Sequence, residues 1–162
     1  MSKTSKRLTL KDLKHPINFL ALGFGSGLAP KAPGTFGTLA AVPLYLMMTS
    51  LSNLQYLLVT VFVCLIGIWI CGVSADILGV HDHSGIVWDE IAGFLITMFM
   101  APSGWQWIVL GFIYFRIFDI LKPWPISWLD RQVGGGFGIM IDDVIAGLFA
   151  WFCLWITVKI VA

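Results

Sequence analysis

The chain has 162 residues, 58% of them hydrophobic and only 12% charged, with a formal net charge of +1 and a mean hydropathy of +0.88. A soluble domain carries roughly 25% charged residues, so the composition excludes an ordinary water-soluble fold and points to an integral membrane protein. The basic residues crowd the N-terminal stretch and form no stripe, which gives no reason to expect a nucleic-acid partner.

Residues 1–16, with Lys3, Lys6, Arg7, Lys11 and Lys14, read as a polar cytoplasmic leader, and residues 17–162 as a single integral-membrane domain. Residues 17–29 are apolar but interrupted by Gly23, Gly25 and Gly27; such a stretch is too short for a span and reads as an interfacial or re-entrant segment. PKAPGTFG, residues 30–37, is a turn cluster. Five helices follow, over residues 38–51, 54–75, 86–100, 105–121 and 141–160. The expected fold class is therefore all-α, a multi-pass transmembrane helical bundle. Several of these runs fall short of the ~20 residues a full crossing needs, which puts their charged groups on helix ends. The tally of Lys and Arg places the leader, the 76–85 loop and the 122–138 loop in the cytoplasm. Cys64, Cys71 and Cys153 lie inside apolar stretches, with neither metal-ligand spacing nor a disulfide framework.

Under that orientation every polar cluster lands on the cytoplasmic face. Of nine acidic residues, Asp89, Glu90, Asp119, Asp142 and Asp143 sit in or at the lip of apolar stretches. A carboxylate at the centre of a membrane helix costs roughly 2.5–3.5 kcal/mol on insertion scales, so these five are expected to gather at one surface, around a divalent cation and a charged substrate. In VWDEIAG, residues 87–93, two adjacent carboxylates project about 100° apart on a helix; an acidic helix N-terminus favoured by the macrodipole is the plain alternative. IDDVIAG, residues 141–147, repeats the arrangement, and the two Ala-Gly pairs would let the helices approach and bring the acids together. FRIFDILK, residues 115–122, spaces Arg116, Asp119 and Lys122 along one helix face. That is either a salt-bridge ladder or two cations for a phosphate with Asp119 beside a metal. His81-Asp82-His83 reads as a catalytic loop or as a cap on the next helix, and a carboxylate-rich site without thiolates suits magnesium or manganese better than zinc. GGGFG, residues 134–138, could offer backbone amides to an anion.

The implied substrate is a phosphorylated lipid head group. Phosphatase signatures built on a Cys nucleophile, on DxDxT, or on Ser-Arg with a downstream His are absent, which leaves activated water or an aspartate as the nucleophile.

GFGSGLAPKAPGTFGTLAA (residues 23–41), GVHDHSGIVWDEIAG (79–93), FRIFDILKPWPISWLDR (115–131) and GGGFGIMIDDVIAG (134–147) stand in order along the chain. This set resembles the bacterial phosphatidylglycerophosphatase A family. The resemblance implies a multi-pass enzyme of the bacterial inner membrane, dependent on Mg2+, that removes the terminal phosphate of phosphatidylglycerophosphate to leave phosphatidylglycerol. On that footing Asp89, Glu90 and Asp143, with Asp142 and Asp119, are expected to hold one or two magnesium ions. Lys31, Arg116, Lys122 and Arg131 would hold phosphate oxygens, and His83 or His81 would protonate the leaving glycerol oxygen. The alternative from another class is a small cation channel or proton-coupled transporter, which would spread its carboxylates through the membrane depth.

Overall fold

The computed structural model describes residues 8–80 and 83–161, and every regular element among them is helical. A 3-10 turn at Asp12–Lys14 leads into α1 (Pro16–Ala21), and a glycine-rich 3-10 segment, Gly23–Leu28, follows it. Six further helices complete the fold: α2 (Pro33–Met48), α3 (Asn53–Leu78), α4 (Trp88–Thr97), α5 (Trp105–Leu121), α6 (Ile126–Gln132) and α7 (Gly135–Val161).

Local chemistry sets the helix ends. Ser52 and Gln55 form a reciprocal capping box at the start of α3, Ser52 Oγ accepting the Gln55 N–H and Gln55 Oε1 accepting the Ser52 N–H. Gly79 closes that helix in the left-handed region, where glycine meets no steric penalty. Pro33 opens α2, where its missing N–H has no intrahelical partner to lose. α5 stops at a left-handed Lys122 ahead of Pro123, which cannot continue a helix.

α4 is the axis of the bundle. Its Ile91, Ala92 and Phe94 are fully buried, and α2, α3, α5 and α7 all pack on it, α7 most extensively. Around it, α3 and α5 each lie against α7, α1 lies against α3, and α2 lies against the glycine-rich segment, whereas α2 and α5 scarcely touch. The α4–α7 crossing uses the two Ala-Gly pairs as the sequence implied. A Cβ on Gly147 would lie 2.5 Å from the Gly93 carbonyl oxygen and 3.1 Å from its Cα, so the backbones meet only because neither residue has a side chain. Thr97 Oγ1 donates to the same Gly93 carbonyl at 2.9 Å.

The outer surfaces are apolar, with Leu58, Phe62, Leu65 and Trp69 exposed on α3 and Phe152 and Trp155 on α7. α3, with 26 residues, and α7, with 27, are each long and apolar enough to cross a bilayer. α2, α5 and α4 have 16, 17 and 10 residues, short of the ~20 that a full crossing uses.

α4, Trp88–Thr97, is shorter than the 86–100 expected, and α3, Asn53–Leu78, is longer than 54–75; three further differences are larger. α2 begins at Pro33, not at residue 38, because the second proline of PKAPGTFG starts a helix. α7 begins at Gly135, not at residue 141. There Gly136 packs on α3, where a Cβ would overlap the Ile68 carbonyl oxygen, and this packing overrides the weak helix propensity of glycine. α6 occupies what read as loop, since the proline pair that ends α5 leaves Pro125 at the cap of a new helix.

Candidate active site

Five helix ends and the 83–86 loop enclose a cavity of about 860 Å³. The first turn of α4 brings Asp89 and Glu90, the third turn of α7 brings Asp142 and Asp143, and the last two turns of α5 bring Arg116 and Asp119. Lys122, Asp130 and His83 complete the polar wall. Asp89, Glu90 and Asp143 each present one carboxylate oxygen to a common point, all three within 4.8 Å of one another. Among the described residues, Asp89 Oδ1, Glu90 Oε2, Asp142 Oδ1 and Asp143 Oδ2 are buried without a hydrogen-bond partner. Four orphaned acceptors in one cavity are costly, and positive charge would satisfy them.

The basic groups divide unequally. Arg116 Nη1 bonds Asp119 one turn along α5, while its buried Nε has no partner among the described residues. Lys122 Nζ donates to Asp130 Oδ1 of α6 at 2.7 Å and also to Asp142 of α7. Burial works against the Lys122 charge, but the hydrogen bonds to Asp130 and Asp142 and the charges behind them outweigh it, holding the ammonium above the ordinary lysine range. The expected ladder thus forms only between Arg116 and Asp119; Lys122 turns away from it to tie α6 to α7.

Two glycines give the wall its shape. At Gly34, in the first turn of α2, a side chain would overlap Glu90 Oε1 and stand 3.0 Å from Arg116 Nη1, so its absence lets an acid and a guanidinium meet over the helix end. Gly27 sits so close to the Gly85 carbonyl that a Cβ would overlap it, and the Val87 N–H donates to the Ala21 carbonyl at 2.8 Å. The glycine-rich segment is therefore a bed for the His83 loop. His83 is 5% exposed, and its Nδ1 accepts the Gly85 N–H at 3.0 Å. A neutral ring held this way carries its proton on Nε2.

Of the residues picked out by sequence, Asp89, Glu90, Asp119, Asp142, Asp143, His83, Arg116 and Lys122 share this cavity. Lys31 and Arg131 are exposed and stand outside its wall. Lys31 precedes the helix start that reaches the cavity, and Arg131 Nε turns back to the Ser127 carbonyl of its own helix at 2.9 Å. His81 lies outside the described residues. The GGGFG amides are drawn into α7, the Gly138 N–H donating to the Gly134 carbonyl at 3.2 Å. Asp130 was missed by the sequence reading. It lies eight residues beyond Lys122 across the two prolines, and only the tertiary return of α6 makes them neighbours.

Carboxylates gathered in one cavity with a guanidinium, an ammonium and an imidazole do not line an ion path through a bundle. They define a membrane-associated enzyme whose site is suited to phosphoryl chemistry. The chain belongs to the phosphatidylglycerophosphatase A family, whose profile matches residues 19–158. It is 50% identical over 139 residues to phosphatidylglycerophosphatase A of Escherichia coli (strain K12), covering 85% of this chain and 81% of the relative. It is 48% identical over 141 residues to the protein of the same name from Haemophilus influenzae, covering 86% of each. No solved structure matches the chain.

Proposed function

We propose that this chain hydrolyses the terminal phosphate monoester of phosphatidylglycerophosphate at the cytoplasmic face of the bacterial inner membrane, releasing phosphatidylglycerol and inorganic phosphate. The observation that carries the reading is the cavity in which half-buried Asp89 and Glu90 and buried Asp143 face Arg116 and His83, in a chain whose relatives bear the phosphatidylglycerophosphatase name. Five passes, by full-length α3 and α7 and by the shorter α2, α4 and α5 together with the chain that flanks them, fit the same reading: α2, α4 and α7 begin at the cavity, while α3 and α5 end beside it. All charged ends then lie in one leaflet, where the Lys and Arg tally puts the cytoplasm.

The donor set suits Mg2+. It is all oxygen, it is anionic, and its orphaned acceptors are the groups a hard cation would satisfy. Asp89, Glu90 and Asp143 would hold the ion, with Asp142 and Asp119 at the margin; once bound, it supplies Lewis-acid polarisation of the phosphoryl oxygens. The chain's own groups perform the rest. Arg116, whose Nε is unpartnered among the described residues, binds phosphate oxygens in the planar, forked manner of a guanidinium. Lys122 lies within reach on the cavity wall and keeps α6 and α7 together. As the bond from phosphorus to the glycerol oxygen breaks, the His83 Nε2–H donates a hydrogen bond to that oxygen, and the attacking water supplies both the oxygen that phosphorus gains and, relayed across the ring's Nε2, the proton that leaves with the glycerol.

Purified protein in detergent should release phosphate from phosphatidylglycerophosphate with Mg2+ present and stop when a chelator removes it. Silence in both conditions would overturn the reading. His83→Asn should slow that reaction by about 10²–10⁴-fold, yet slow hydrolysis of an aryl phosphate far less, because a phenolate departs without a proton. Equal losses on both esters would remove His83 from the leaving-group side of the reaction.

A further inference from the structure

We propose that the acyl chains of the substrate reach the site sideways, through the seam between α2 and α5, and lie along an apolar stripe of α5 that ends in the cavity. This rests on the cavity being the seat of a phosphorylated lipid head group. Such a substrate keeps two acyl chains in the bilayer while its phosphate enters a polar site, so the wall of helices must have an opening.

The packing identifies one. Going round α4, each outer element presses on the next: the glycine-rich segment on α2 and on α1, α1 on α3, α3 on α7, and α7 on α5. Only α5 and α2, which would close the ring, scarcely meet. The cavity opens at the head of that seam, with Pro33 and Gly34 of α2 on one bank and Arg116 and Ile120 of α5 on the other. Below it, Val109, Ile113, Ile117 and Ile120 are 46%, 45%, 43% and 66% exposed. Their spacing of four, four and three residues places them on one helix face, and Ile120 is itself part of the cavity wall. From Val109 to Ile120 the stripe runs about 16 Å, half of a hydrocarbon core ~30 Å thick. It therefore spans one leaflet, beginning where the head group is held.

A rival groove exists. Leu57, Val61, Leu65, Leu148 and Trp151 line an apolar hollow of about 370 Å³ between α3, α4 and α7. It shares no residue with the polar cavity. Trp88 and Met140, both buried, fill the space over Gly67 of α3, and Cys71 Sγ lies 3.8 Å from Met140 Sδ, so side chains stand between this hollow and the carboxylates. A chain lying there would not connect with a phosphate at Arg116.

Ile117→Trp, which fills the seam without touching the polar wall, provides the test, with Leu58→Trp on exposed α3 as the control. KM should be measured for dioleoyl phosphatidylglycerophosphate in mixed micelles and for its deacylated head group in water. In Ile117→Trp the ratio of the two values should rise about tenfold, the scale of one overpacked contact, while the control keeps the wild-type ratio. A ratio that stays at the control value, or both KM values rising together, would overturn the seam. Were the wild type to release no phosphate from either compound, the head-group reading would fall and a second measurement would decide. Phosphatidylglycerophosphate bearing a mid-chain diazirine, in phosphatidylcholine vesicles, should label residues 109–120 in a manner competed by the unlabelled lipid. Competed labelling at residues 57–65 or 144–151 instead would place the chains in the rival groove and reject the proposal.

Discussion

Replacing Asp89, Glu90 or Asp143 singly by its amide should lower phosphate release about a thousandfold, ~4 kcal/mol of transition-state stabilisation, and at the same time make the chelator-treated protein harder to melt. The two effects have one origin. Three carboxylate oxygens lie within 4.8 Å of one another, and one oxygen of each residue is buried with no hydrogen-bond partner among the described residues. Without a cation, each added negative charge raises the energy of the others and lacks solvation to offset it. An amide keeps the shape, removes a charge and adds a donor that a neighbouring carboxylate can accept. Thermal melting in detergent with chelator, beside phosphate release with Mg2+, checks both halves. Amide variants that keep wild-type turnover, or that melt lower than the parent without metal, would refute this account of the cluster.

Gly147→Ala carries the second large effect. Its methyl group would stand 2.5 Å from the Gly93 carbonyl oxygen, a backbone atom on the most buried helix, so neither partner can rotate away. Overpacking of this kind costs about 1–3 kcal/mol, occasionally more, and here it also drives α4 from α7, the two helices that bring Asp89 and Glu90 to Asp143. We expect a lower melting temperature and a fall in kcat beyond the loss of folded protein. Leu148→Ala, next along the chain and 44% exposed, should change neither by a comparable amount. A Gly147→Ala protein as stable and active as that control would show that the crossing tolerates separation.

Much of this was written in the sequence. The carboxylates of apolar stretches had to share an environment, and they do; the repeated Ala-Gly spacing foretold the α4–α7 contact before any coordinates. Helix α5 matched its reading at both ends because Gly104 and the Lys122-Pro123 junction are strong local punctuation. What escaped were features decided by distant partners. GGGFG looks like a loop by propensity, yet α3 leaves room only for glycine and so draws it into a helix. Gly23 to Gly27 read as an interfacial or re-entrant segment, and the sequence did not show that their small size also serves the loop that carries His83. Arg131 and Lys31 were grouped with the site through the family resemblance and their charge, and neither tells which way a surface side chain turns. The pairing of Lys122 with Asp130 required knowing that the chain folds back after two prolines.

The position of α4 has a bearing on how the protein is made. A ribosome delivers this helix, with its acidic pair, well before the one on which it leans most heavily. Until the C-terminal segment emerges, Asp89 and Glu90 have no Asp143 beside them and the bare Gly93 backbone has no cover. Biogenesis must therefore run through a stage in which the catalytic helix is unhoused, and a nascent chain cut short before residue 135 would be left there, lacking the last piece that seats it.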